Sequence, residues 1–175
     1  MDTCIRHNLV KEVIIVHQKI LEILEKDSRI SVEQLAVMLG ASEEEVAAEI
    51  KKMEANRTIL GYHTMIDWEK TKRELVTALI EVKVTPQRGI GFDKIAERIY
   101  QFPEVTAVYL MSGGFDLTVV VEGKSMKDVA LFVSQRLAPM ESVLSCATHF
   151  VLKKYKEHGF VYGPEEKDQR AAIWL

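Results

Sequence analysis

Ser31-Val32-Glu33-Gln34-Leu35-Ala36-Val37-Met38-Leu39-Gly40-Ala41-Ser42-Glu43-Glu44-Glu45-Val46 holds two helix starts separated by one glycine. Ser31 with Gln34, and Ser42 with Glu45, have capping-box spacing: the serine hydroxyl and the side chain three residues on satisfy each other's backbone N–H groups. Gly40 can take the left-handed conformation that ends the first of these helices. Val32, Leu35, Val37 and Leu39 carry the short helix, and Val46, Ile50 and Met53 form the core stripe of the longer one. Upstream, Val10, Val13, His17, Ile20, Leu21 and Leu24 keep helical spacing from roughly Leu9 to Lys26, and Asp27-Ser28-Arg29 breaks the pattern. Three helices, the middle one short, with a glycine turn before the third, make the helix-turn-helix pattern. Asn56 to Tyr62 reads as a small wing or the start of a strand, so residues 1–62 are expected to form a winged helix-turn-helix domain.

The third helix carries an unusual charge for that pattern. From Ser42 to Ala55, Glu43, Glu44, Glu45, Glu49 and Glu54 are opposed only by Lys51 and Lys52, whereas affinity for DNA rests largely on cations that neutralise phosphate. The first-turn acids suit the helix dipole, worth roughly 0.3–1 kcal/mol each, and Glu45 completes a cap. At about 100° per residue, Val46, Ile50 and Met53 point inward, Glu44, Ala48, Lys51 and Ala55 outward, and Glu45 and Lys52 lie on the flank.

His63 to Glu74 is polar and mixed in charge, with one short apolar patch at Met65-Ile66; it reads as a strand plus linker, assigned to 63–74. Beyond it the period changes. Val76, Ala78, Ile80, Val82 and Val84 alternate with Thr77, Leu79, Glu81 and Lys83, a strand with one buried face, ended by Pro86 and Gly89-Ile90-Gly91. Phe92, Ile95, Ala96, Ile99 and Phe102 return to helical spacing before Pro103. Val105 to Met111 and Asp116 to Glu122 are strands around a Ser112-Gly113-Gly114 turn. Ser125 with Asp128 caps a helix bearing Val129, Phe132, Val133 and Leu137, and Val143 to Lys153 is the last strand. The order β-α-β-β-α-β predicts a ferredoxin-like sandwich over residues 75–155. The fold class is therefore α+β, and the charged segment 156–175 is expected to be a tail ordered only against a partner subunit.

Global features narrow the function classes. The 175-residue chain is 47% hydrophobic and 28% charged with a net charge of −3. That excludes disorder and gives no bulk attraction to nucleic acid or anionic lipid. Val13-Ile14-Ile15-Val16 stops at His17, far short of a membrane span, and no signal-peptide pattern is visible. Cys4 and Cys146 read as reduced thiols of a cytoplasmic protein. The five histidines have no metal-ligand spacing, so no metal and no cofactor are expected. Gly89-Ile90-Gly91 lacks the third glycine of a dinucleotide motif, Lys94 standing there.

The ordered set Asp27-Ser28-Arg29-Ile30-Ser31, Leu35-Ala36, Leu39-Gly40-Ala41-Ser42, Gly61-Tyr62, Phe102-Pro103-Glu104-Val105, Ser112-Gly113-Gly114-Phe115-Asp116 and Thr148 to Lys153 resembles the Lrp/AsnC (leucine-responsive and asparagine-type) regulators. The likeness spans roughly residues 12 to 155. It implies double-stranded DNA as partner of the first domain and an amino-acid effector for the second. It also implies homodimers, formed through the α/β domain, that assemble to octamers. Family members tend to carry Arg or Lys where Glu49 stands, and that departure weighs against an ordinary reading helix.

Candidate DNA contacts are Ser42, Glu44, Lys51, Lys52, Arg57 and the linker cations Lys70, Lys72 and Arg73. Glu44 can accept from cytosine N4. The candidate effector site is Met111, Ser112, Gly113, Gly114, Phe115 and Asp116 with Thr148. Its glycines let the backbone approach a ligand and offer amides to a carboxylate, while Asp116 meets an ammonium group; the same residues also suit a tight turn in which Asp116 caps backbone amides. A metabolite-binding or assembly protein whose first domain no longer reads DNA is the alternative. A sirohaem-decarboxylase-like enzyme is a remote one, since no residue pattern marks a tetrapyrrole site. No enzyme is expected.

Overall fold

The computed structural model describes residues 16–85 and 91–163. The expected start of the first helix (Leu9 to Ile15), Pro86 with Gly89-Ile90, and residues 164–175 lie outside the described residues. The chain divides into two compact units between Met65 and Ile66.

In the first unit, helix α1 (16–26) is followed by α2 (Val32–Leu39) and α3 (Glu43–Ala55). Both capping boxes form, and Gly40 ends α2 at φ 65°. Ile20, Leu35, Ala36, Val46 and Met53 make the buried core, with Ile23, Leu24, Leu39 and Ile50 packed around it. Val37 is 84% exposed: it is out of helical phase with Val32, Leu35 and Leu39, and Ala36 takes the inward place. Beyond α3, Arg57 adopts φ 62° and Ile59 N–H reaches the Met53 carbonyl at 3.0 Å. From Asn56 to Leu75 there is no strand, only a 3-10 turn at Trp68–Lys70. The expected wing and the expected Met65-Ile66 strand are therefore corrected to irregular chain, because a strand forms only where an edge pairs with it.

The second unit contains β1 (Val76–Val84), α4 (Asp93–Tyr100), β2 (Val105–Leu110), β3 (Leu117–Gly123), α5 (Met126–Phe132) and β4 (Val143–Phe150). A π-helical turn, Val133–Leu137, continues α5. The sheet is antiparallel with order β2-β3-β1-β4, the order of the ferredoxin-like fold. Ala78, Ile80 and Val82 pair across the sheet with Val121, Val119 and Leu117, and pack against Ile95 and Ile99 of α4 and Val129 and Phe132 of α5. Both helices thus cover one face. The opposite face shows Leu79, Glu81 and Lys83 of β1, His149 of β4 and Tyr109 of β2. His149 lies there exposed, 3.4 Å from Glu81.

The last strand stops at Phe150 instead of Lys153, and the segment after it is not a plain tail. Lys156–Glu157 (β5) and Phe160–Val161 (β6) pair as a hairpin. His158 at φ 46° and Gly159 at φ 88° supply the two positive-φ residues of a type I′ turn. Tyr162 Oη donates to Glu157 at 2.7 Å and Lys154 donates to the same carboxylate at 3.1 Å. The bond to Glu157 pushes the Tyr162 phenol up to about 12, so it remains a donor. Residues 156–163 thus carry a hairpin paired within the chain.

Candidate nucleic-acid and effector sites

Glu49 decides how α3 is used. Three residues beyond Val46, it lies roughly 60° from the inward direction. Its Oε1 is 2.7 Å from His17 Nδ1 on α1, and its Oε2 is 3.2 Å from Lys52 Nζ. At 16% exposure the carboxylate is turned toward the scaffold. The His17 hydrogen bond, helped by Lys52, holds its pKa below the usual glutamate range against the opposing effect of burial. A carboxyl with a lowered folded pKa stabilises fully above its unfolded value and loses that contribution as pH falls through the folded one. Glu49→Ala is therefore expected to cost on the order of 1 kcal/mol at neutral pH. The gap from wild type should close below about pH 4.3, as checked by urea midpoints over a pH series.

With Glu49 withdrawn, the outward stripe of α3 is Glu44, Ala48, Lys51 and Ala55, all exposed. One acid and one base leave it electrically balanced. Ser42 is committed to capping: its hydroxyl accepts from Glu45 N–H at 3.3 Å and donates to Glu45 Oε2 at 2.9 Å. Hydrogen bonds from Ser42 in turn hold the Glu45 carboxyl low. Lys52 is exposed but leans onto Glu49. Arg57 is exposed in the turn that ends α3. Of the linker cations, Lys70 is 3.5 Å from Asp67 and the Arg73 guanidinium lies 4.3 Å from the Trp68 ring centroid; Lys72 is exposed with no ion pair among the described residues. Lys51, Lys52 and Arg57 belong to the first compact unit and Lys70, Lys72 and Arg73 to the second.

The Met111–Asp116 loop joins β2 to β3. Met111, Ser112, Gly113 and Gly114 are exposed, and Phe115 and Asp116 half-buried. Gly113 sits at φ 138° with open space around it, a conformation that disfavours any side chain. Asp116 Oδ2 accepts from Val84 N–H at 2.8 Å, and Asp116 N–H donates to the Val82 carbonyl at 3.1 Å. The carboxylate thus fixes the loop against the end of β1, a link between loop and strand that alternation of side chains does not reveal. Thr148 pairs with Ile80 on the far side of β1 from β3. Loop and Thr148 are therefore not gathered into one pocket by a single chain.

Two family descriptions match the two units. Residues 17–54 match the AsnC-type helix-turn-helix domain, and residues 77–161 the Lrp/AsnC ligand binding domain. The chain is 52% identical over 156 residues to an HTH-type transcriptional regulator of Bacillus subtilis, YugG, covering 89% of this chain and 94% of that one. It is 31% identical over 137 residues to the HTH-type transcriptional regulator LrpA of Pyrococcus horikoshii, covering 78% and 94%. Among solved structures, an AsnC family regulator from Agrobacterium tumefaciens superposes with a TM-score of 0.64 at 25% identity, covering 81% of this chain and 92% of that one. A Neisseria meningitidis transcriptional regulator in complex with L-Met superposes at 0.65 and 21% identity, covering 81% and 91%. These relatives are named as regulators, which lends nothing to the decarboxylase reading. An AsnC-type helix-turn-helix joined to an Lrp/AsnC ligand-binding domain places this chain in the Lrp/AsnC family.

Proposed function

We propose that the chain regulates transcription, reading double-stranded DNA through the outward face of α3 and sensing an amino acid through its second unit. The turning of Glu49 onto His17 carries the reading, because it removes from the α3 surface the acid that most opposed DNA. Lys51, Lys52 and Arg57 are the phosphate contacts of the first unit, and Glu44 is placed to accept from a cytosine amino group. Lys72 adds a charge contact from the second, where Lys70 pairs with Asp67 and Arg73 lies over Trp68. Few cations per chain mean weak, salt-sensitive binding by one dimer, strengthened when several dimers engage one DNA.

The effector site is the Met111–Asp116 loop with Thr148. Because the loop is exposed and one chain keeps Thr148 apart from it, the pocket is completed by another copy. The name of the Neisseria relative, an L-Met complex, supports an amino acid as the ligand class. The sheet face left uncovered by α4 and α5, with Leu79 41% and Tyr109 55% exposed, supports a homodimer through this unit, and dimers assembling to an octamer. An effector bound between copies favours one assembly over another and so changes how the helix-turn-helix pairs are presented.

Selection from randomised duplex DNA at low salt, followed by binding at rising salt, tests the DNA half. The expected log–log slope is several times about 0.9, one such increment per phosphate neutralised. Lys51→Glu is expected to weaken binding at least tenfold and to flatten the slope by about one increment. A slope near zero, with an amino-acid thermal shift retained, overturns DNA reading and leaves the metabolite-binding alternative.

A further inference from the structure

We infer that the second unit holds a separate small-molecule site between the Trp68–Lys70 turn, the start of β1 and the chain after β4. Its ligand is a free α-amino acid bound as a zwitterion. This goes beyond the Met111–Asp116 loop, with which it shares no residue.

The recess encloses about 90 Å³. That is well under the roughly 300–1,000 Å³ of sites for drug-sized molecules, a scale that suits a metabolite of a few heavy atoms. All its lining residues belong to the same compact unit. Trp68, Leu75 and Val151 give it an apolar floor.

The charges around that floor divide into two groups. Asp67 pairs with Lys70, and Glu157 takes both Lys154 and Tyr162, so these are neutralised among themselves. Arg73 and Lys153 are different. Among the described residues neither meets a carboxylate within 4.0 Å; each instead lies against an aromatic ring, Arg73 over Trp68 at 4.3 Å and Lys153 over Tyr155 at 5.0 Å. Stacking fixes the plane of a guanidinium and leaves its N–H edge for a carboxylate. Glu69 lines the same recess, exposed, with no cation partner among the described residues.

Two cations without counter-charge and one carboxylate without a cation among the described residues, set around an apolar floor, are complementary to a carboxylate and an ammonium on one carbon. A bare anion would leave Glu69 repelling it. A bare cation would face Arg73 and Lys153.

Trp68 is also the reporter. Full-length protein carrying Trp174→Phe leaves it as the remaining tryptophan. Its emission is followed during titration with each free amino acid, the matching 2-oxo acids and inorganic phosphate. The expected result is a saturable change with at least one amino acid, weakened tenfold or more by Arg73→Gln and by Lys153→Gln. It should be unchanged by Asp116→Asn, with thermal melts showing that each variant is folded.

Three results overturn the site: no Trp68 response to any amino acid, a response abolished by Asp116→Asn but indifferent to Arg73 and Lys153, or a response to phosphate. A 2-oxo acid binding as tightly as its amino acid overturns the role of Glu69 and with it the zwitterion. Failure here leaves the loop site standing, since that site is read by its own variants and by the response of DNA binding to effector.

Discussion

Leu35→Ala is expected to abolish the folded helix-turn-helix. Leu35 is fully buried in a core of five buried side chains among the described residues. Truncating such a leucine removes its burial energy and leaves a cavity, at a cost of about 2–5 kcal/mol. A three-helix unit of this size holds a net stability of about the same magnitude. The variant should lose most of the helical signal of the first unit and its DNA binding, while Trp68 emission and the sheet signal of the second unit persist. Val37→Ala is the control: Val37 is 84% exposed, and the change should stay within about 0.5 kcal/mol. Comparable losses at the two positions in thermal melts monitored by circular dichroism would mean that α2 packs differently.

Asp116 separates holding the loop from binding the effector. Asp116→Ala leaves the Val84 N–H without its acceptor at a half-buried place. It is expected to cost about 1–3 kcal/mol and to loosen the loop. Asp116→Asn keeps an acceptor for Val84 and loses only the charge. Its stability should remain within about 1 kcal/mol of wild type, while affinity for an amino acid falls about tenfold to a hundredfold, the worth of a hydrogen bond to a charged group. Calorimetric titration gives the second number and chemical denaturation the first. Equal effector affinity in wild type and Asp116→Asn would assign the carboxylate to the loop alone.

What could be read ahead of the structure was local. The capping boxes at Ser31 and Ser42, the glycine stop at Gly40 and the period-two stripe of β1 each depend on neighbours a few residues away, and each formed. Val37 faces solvent because helical phase, not apolar type, sets the direction of its side chain. The segment from Asn56 to Leu75 suggested a strand by composition, but strand formation is settled by a pairing edge that composition does not contain.

The hairpin at Lys156–Val161 escaped for the opposite reason. Two-residue strands are too short to show alternation, and the only signal was His158-Gly159 between them. At the candidate sites the decisive partners were remote. Glu49 with His17 and Asp116 with Val84 are each separated by 32 positions. An acid on the flank of a helix therefore reads in sequence as a defect of the reading surface, because its partner lies on another helix. The recess at Trp68 likewise joins a connector to the chain after β4, and nothing in either stretch alone marks it.

The clasp between Glu49 and His17 has a consequence for how this regulator can diverge. The residues that hold α3 to its scaffold, Val46, Glu49, Ile50 and Met53, occupy one side of the helix. Those offered outward, Glu44, Ala48, Lys51 and Ala55, occupy the other. A substitution on the second set changes the surface presented to a groove without touching a buried side chain or the clasp. On the proposed reading of DNA by this face, the helix can thus acquire a new target sequence one residue at a time while its seat in the domain stays fixed.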